Sequence, residues 1–178
     1  LPQAPEACET GIVPTTSTTM TLALGDALAI ALMEHRAFTP EHFRVFHPGG
    51  KLGARLLKVR DLMHDDPPLV AEDMAMGEVL VEISRRGFGV VGVTDADGAL
   101  AGIITDGDLR RHLDGLLSHV AGEVMTRNPR TIGPDALAGE ALAVMNDRKI
   151  TCLLVTGEDK SRAIGILHVH DCLRAGVA

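Results

Sequence analysis

Aromatic side chains are nearly absent: the chain has four Phe, no Trp and no Tyr, 2% of its residues. Single-stranded nucleic acid stacks its bases on aromatic platforms, so that mode of binding is argued against. Positive charge is also scarce. Seventeen Lys and Arg stand against 24 Asp and Glu, a net charge of −7, which opposes the clustered cations that phosphate-backbone binding requires. No nucleic-acid partner is expected. The three cysteines, Cys8, Cys152 and Cys172, are an odd number without C-x-x-C spacing. They make no disulfide framework and fit a reducing, cytoplasmic setting. No run reaches the length of a membrane span, the most apolar stretch, Met20 to Met33, being interrupted by Gly25-Asp26, so no membrane partner is expected either. The chain opens at Leu1 without a secretory leader, and it reads as a piece of a longer protein.

What the sequence does hold is a core and a repeat. Hydrophobic residues make up 46% of the chain, enough for a packed interior. Asp61-Leu62-Met63 returns as Glu123-Val124-Met125, an offset of 125 − 63 = 62. At that offset Asp73 meets Asp135, Glu78 meets Glu140 and Arg86 meets Arg148. The register then slips by one in the polar turn between Asp97 and Gly102, so that Gly102-Ile103-Ile104 matches Gly165-Ile166-Leu167. A surface turn tolerates such an insertion best. Each copy alone is of a size at which burial is marginal, so the two are expected to pack on each other around a shared cleft.

The spacing predicts the elements. Leu24, Leu28 and Leu32, with Ala27 and Ala31, recur at helical spacing after a Thr15–Thr19 hydroxyl cluster that supplies an N-cap. A second helix is expected after Thr39-Pro40, with Pro at its first position, and His47-Pro48-Gly49-Gly50 ends it. In the first repeat Leu69-Val70 is extended, and Asp73 caps a helix whose apolar stripe is Met76, Val79, Leu80 and Ile83. Gly89 to Thr94 is a strand, Asp97-Gly98 a hairpin turn, Leu100 to Thr105 the returning strand, and Asp108 opens a closing helix. The second repeat follows suit: Thr131-Ile132 extended, Asp135 capping a helix over 138–145, strands at Thr151–Thr156 and Ala163–Leu167, and a helix near Asp171. The fold class is α/β (α+β).

This order, with Gly102-Ile103-Ile104-Thr105-Asp106-Gly107-Asp108-Leu109 closing the first copy, resembles a tandem CBS domain pair of two βαββα-type repeats. In that family the hydroxyl and carboxylate of the motif commonly hold a nucleotide's phosphate and ribose, which points to Thr105 and Asp108. The residue types suit the role, since helix N-terminal amides favour phosphate and Asp accepts from ribose hydroxyls. Capping of a helix is the plainer use of the same two residues. The second copy keeps Asp171 but carries His168 in place of the hydroxyl, so the two halves are unequal and the ligand is expected to be anionic. The ligand-binding set taken from the resemblance is Thr105, Asp108, His168, His170 and Asp171, with Gly89, Val90, Glu123 and Thr151 beside them. His168-Val169-His170 with Cys152 or Cys172 also invites a metal reading, both imidazoles lying on one strand face. Metal sites need three or four ligands, so no metal is assigned.

The whole chain is similar to something narrower: the C-terminal part of the D-arabinose 5-phosphate isomerases, sugar isomerase (SIS) enzymes. Pro14–Thr19, Leu24–Ala29, His47–Gly53, Thr105–Arg111 and His168–Gly176 carry this resemblance. It implies three parts: residues 1–57 as the helical end of a SIS domain, 58–118 as the first CBS motif and 119–178 as the second. It implies that the intact enzyme interconverts ribulose 5-phosphate and arabinose 5-phosphate, with His47 as an active-site histidine, and that this piece alone is inactive. A neutral imidazole suits proton relay or ring opening. No cofactor is required. A nucleotide or nucleotide-sugar effector such as CMP-Kdo is expected, and the chain is expected to form a homo-oligomer, a dimer of CBS pairs and a tetramer for the intact enzyme. The alternative is a CBS pair that assembles subunits and binds nothing.

Overall fold

The structure, a computed structural model, describes residues 1–46, 50–159 and 161–177. The chain separates into two compact units, Leu1–Phe46 and His47–Ala178. Helix α3 (Gly50–Arg55) goes with the second unit, where Ala54 is buried and lies against Gly176.

The first unit holds α1 (Thr16–His35) and α2 (Pro40–Phe46). Helix α1 runs 20 residues and none of them is buried. Gly25 and Asp26 lie inside the helix, and by length and composition alone α1 is long and apolar enough to cross a membrane, which corrects the expectation that no segment reaches spanning length. Its N-cap is Thr15, as expected, but the Thr15 side chain does no capping. Glu6 does it instead, accepting from the Thr15 N–H at 2.7 Å and the Ser17 N–H at 3.3 Å. Hydrogen bonds from the Ser17 hydroxyl and the Thr15 N–H bring the Glu6 carboxyl down to about 2.

The second unit contains both repeats. The first repeat supplies β1 (Leu69–Ala71), α4 (Met76–Arg86), β2 (Val90–Thr94), β3 (Leu100–Thr105) and α5 (Asp106–Arg111). After a short helix α6 (Ala121–Val124) and β4 (Thr126–Arg127), the second repeat supplies β5 (Thr131–Ile132), α7 (Ala138–Arg148), β6 (Cys152–Thr156), β7 (Ala163–His168) and α8 (Val169–Arg174). One sheet has the order β1-β2-β3-β4 and the other β5-β6-β7, with β1 and β5 parallel to their neighbours and the rest antiparallel.

The lead-in of each repeat is exchanged with the other. Strand β4 pairs Thr126 with Ile103 of the first repeat, and at the matching position His64 bridges Ile166 of the second. Val120 bridges Ala75, and Lys58 bridges Leu137. The cores follow the exchange: Ala121, Val124 and Met125 pack with Met76, Val79 and Ile104, while Val59 packs with Met145, Leu153 and Leu167. A third cluster of Val90, Cys152, Leu154 and Ile166 joins the two sheets. Neither repeat closes its apolar core without the other, as burial arithmetic for so short a unit requires.

This exchange explains why Asp73 and Asp135 do not cap their helices. The N-caps are Ala75 and Leu137, neither with a side-chain cap. The first helical amides are satisfied across the pair instead: Met76 N–H donates to the His119 carbonyl at 3.0 Å, and Ala138 N–H to the Leu57 carbonyl at 2.8 Å. A carbonyl from the partner repeat takes the place of a capping carboxylate. The two hairpins otherwise fold as read, with Asp95 accepting from Asp97 and Ala99 N–H groups around Gly98.

Candidate functional site

Strand β3 ends at Thr105 and α5 begins at Asp106, two residues earlier than the sequence suggested, because Asp108 serves the turn from inside the helix. Its carboxylate reaches back to the Thr105 N–H (2.9 Å) and accepts the Thr105 hydroxyl (2.6 Å) on one oxygen. The other oxygen accepts the Thr126 hydroxyl (2.6 Å) and an N–H of Arg111. Asp108 is only 2% exposed. Burial pushes its carboxyl up, but the Thr105 and Thr126 hydroxyls, the Thr105 N–H and the Arg111 charge outweigh it and hold the group below the ordinary carboxylate range. Both oxygens are committed within the protein, so Asp108 fixes the position of Thr105 and Thr126.

Those two threonines face a cleft of about 890 Å³ between the repeats, within the range of about 300–1,000 Å³ typical of small-molecule sites. The Gly87-Phe88-Gly89-Val90 loop of the first repeat and Ile150-Thr151-Cys152 of the second both line it. Gly87 and Gly89 both hold positive φ, +73° and +70°, which lets the backbone of this loop turn past the opening. Arg110, Arg130, Arg148 and Lys149 also line the cleft, against the single carboxylate of Asp106. The cleft is therefore cationic in a chain of net charge −7.

The second repeat repeats the carboxylate arrangement with other partners. Asp171 accepts the His168 N–H at 3.1 Å, lies 3.2 Å from His64 Nε2 and accepts from Arg174 at 2.7 Å. His64 thus stands where the first half has Thr126, and His168 where it has Thr105. The His168 ring itself caps α8: its Nδ1 accepts the His170 N–H at 3.1 Å. Accepting there places the proton of the neutral ring on Nε2. Burial, then the neighbouring His170, lowers the imidazole below its ordinary value. Because β7 stops at His168, the two imidazoles do not alternate along a strand. His170 lies in the first turn of α8, the ring centroids 4.8 Å apart. Among the described residues no three His, Cys, Asp or Glu side chains gather as a metal site.

Of the residues singled out from sequence, Gly89, Val90, Thr105 and Thr151 line one cleft, with Asp108 beneath Thr105. His168, His170 and Asp171 form a separate group with His64. Glu123 lies in neither: it accepts the Val120 N–H at 3.2 Å and pairs with His119 at 2.9 Å, the His119 bond being the main reason its carboxyl is lowered. His47 lies outside the described residues. Sequence reasoning missed Thr126, His64 and the four cations. The signal was available in the repeat: Arg110, Arg130 and Lys149 face Leu173, Pro68 and Gly87 at the matching positions, as Thr126 faces His64.

Comparison with known proteins agrees with this architecture. The profile of the CBS domain family matches residues 59–115 and 121–178. Arabinose 5-phosphate isomerase KdsD of Pseudomonas aeruginosa is 49% identical over 178 residues, covering 97% of this chain and 54% of that protein. The enzyme of the same name from Escherichia coli K12 is 44% identical over 180 residues, covering 98% and 54%. The chain spans about half the length of the curated relatives it matches. Among solved structures, the CBS domain pair of protein MJ0100, in complex with 5′-methylthioadenosine and S-adenosyl-L-methionine, superposes with a TM-score of 0.60 at 24% identity, over 67% of this chain and 94% of that one. CBSX2 in complex with AMP gives 0.58 at 24%, over 67% and 96%. At that identity the structures speak for the fold alone.

Proposed function

The chain belongs to the CBS domain family, and from that premise we propose that it is the regulatory pair of an arabinose 5-phosphate isomerase that binds a nucleotide or nucleotide-sugar effector. The observation that carries this reading is the cationic cleft of about 890 Å³ between the repeats. Its volume suits a nucleotide, and its cations suit phosphate and carboxylate. In the intact cytoplasmic enzyme His47 would serve proton relay or ring opening during the interconversion of ribulose 5-phosphate and arabinose 5-phosphate. Such an enzyme feeds the Kdo branch of lipopolysaccharide synthesis. CMP-Kdo, an end product, offers a ribose, a phosphate and a sugar carboxylate. The AMP and S-adenosyl-L-methionine held by CBSX2 and protein MJ0100 make adenosine compounds the main competitors.

Isothermal titration with CMP-Kdo, CMP, AMP and ATP tests this reading. CMP-Kdo is expected to bind more tightly than CMP, by about tenfold for one added charged contact. Binding of ATP or AMP with none of CMP-Kdo contradicts end-product feedback. A second reading, a pair that only assembles subunits, draws on the exposed Val81, Leu113 and Leu117, each more than 60% accessible. Silence with all four ligands favours it.

A further inference from the structure

The two halves of the pair share a backbone plan and differ in charge. Where the first cleft has Arg110 and Arg130, the positions that match them by the repeat offset hold Leu173 and Pro68. Arg86, the counterpart of Arg148, is held by Asp66 and by Glu82. The neutral Asn128 at the first cleft has the acidic Asp66 as its counterpart. Both hydroxyls that flank the carboxylate in the first half, Thr105 and Thr126, become imidazoles in the second, and His168 spends its Nδ1 on the His170 N–H.

Lys149 adds an independent sign. It is the C-cap of α7 with φ +55°, a left-handed conformation that the first repeat gives to Gly87 at φ +73°. A side chain there costs stability that glycine avoids. The first cleft holds its cation at that cost, as functional sites hold strained residues.

We infer that the pair is one-sided: a single ligand carrying at least two negative charges occupies the cationic first cleft of each chain, and the equivalent position of the other half, where Leu173, Pro68 and Asp66 replace Arg110, Arg130 and Asn128, holds none. The inference rests on the nucleotide-binding reading and specifies which half of the pair performs it. Arg130 and Lys149, neither with a carboxylate partner among the described residues, select for the ligand's charge.

Titrating the chain separately with ATP and with CMP-Kdo tests it. Whichever binds is expected to saturate at one per chain. Arg130→Gln is expected to weaken it about tenfold, the loss of one charge-assisted contact. Lys149→Gly is expected to weaken it by about the same factor while its melting temperature stays at or above the wild type, which separates a binding role from a folding one. His168→Thr is expected to change neither affinity nor stoichiometry. Two ligands per chain, wild-type affinity in both Arg130→Gln and Lys149→Gly, or a loss in His168→Thr equal to that in Arg130→Gln overturns one-sidedness while leaving nucleotide binding intact. If neither ligand binds at millimolar concentration, the regulatory reading falls and one-sidedness falls with it.

Discussion

Replacing Asp108 by Ala is expected to destabilise the chain by about 2–4 kcal/mol, a fall in melting temperature of roughly 5–15 °C at this size. The substitution strands the Thr105 N–H, two threonine hydroxyls and Arg111 around a buried void. Arg111 is 63% exposed at its side chain, so water compensates it and Arg111→Gln should cost under about 1 kcal/mol. The sign with pH follows from the lowered carboxyl. A carboxylate whose folded value lies below its unfolded one stabilises above about pH 4, the unfolded value, and loses that contribution as pH falls further. The gap between wild type and Asp108→Ala should therefore be widest near neutrality and narrow below about pH 4. Thermal melts of the two proteins across that range measure it. A gap that grows in acid would mean that Asp108 is not held as a carboxylate by these partners.

The second large effect lies where the exchanged lead-ins cross the sheets. A Cβ on Gly102 would stand 2.3 Å from Met125 Sδ, and one on Gly165 would stand 2.9 Å from both Met63 Sδ and the His64 carbonyl oxygen. Gly102→Ala is thus expected to cost about 1–3 kcal/mol by overpacking. The obstruction is all Met125 side chain, so adding Met125→Ala should recover at least about 1 kcal/mol of coupling. For Gly165→Ala the obstruction includes backbone, and Met63→Ala should recover less. Denaturant unfolding of the two double-mutant cycles decides the point; equal coupling in both would contradict the assignment of His64 backbone as the second obstacle.

Much of this was legible in the chain. The offset of 62 residues and the one-residue slip locate both copies of the strand–helix–strand–strand–helix order, because apolar period and turn residues are local properties. What local pattern does not carry is pairing between copies. Asp73 and Asp135 are sound capping residues, yet their helices begin at Met76 and Ala138, on carbonyls of the other repeat. The same exchange brings Thr126 to Asp108 and His64 to Asp171, contacts that no spacing announces. His168 is the instructive case. Its mismatch with Thr105 stood out in sequence as a mark of ligand selectivity, and the structure adds a use that spacing did not announce, the capping of α8 by its Nδ1. The cations of the first cleft sat unremarked in the same comparison, because Arg and Lys on a chain of net charge −7 look like ordinary surface residues until the fold gathers them.

A crystal structure of the chain grown with saturating CMP-Kdo tests the central claim most directly. One molecule per chain is expected in the cleft lined by Thr105 and Thr151, its phosphate and carboxylate against Arg130 and Lys149. A molecule beside His168 and His64, or one in each half of the pair, would contradict it.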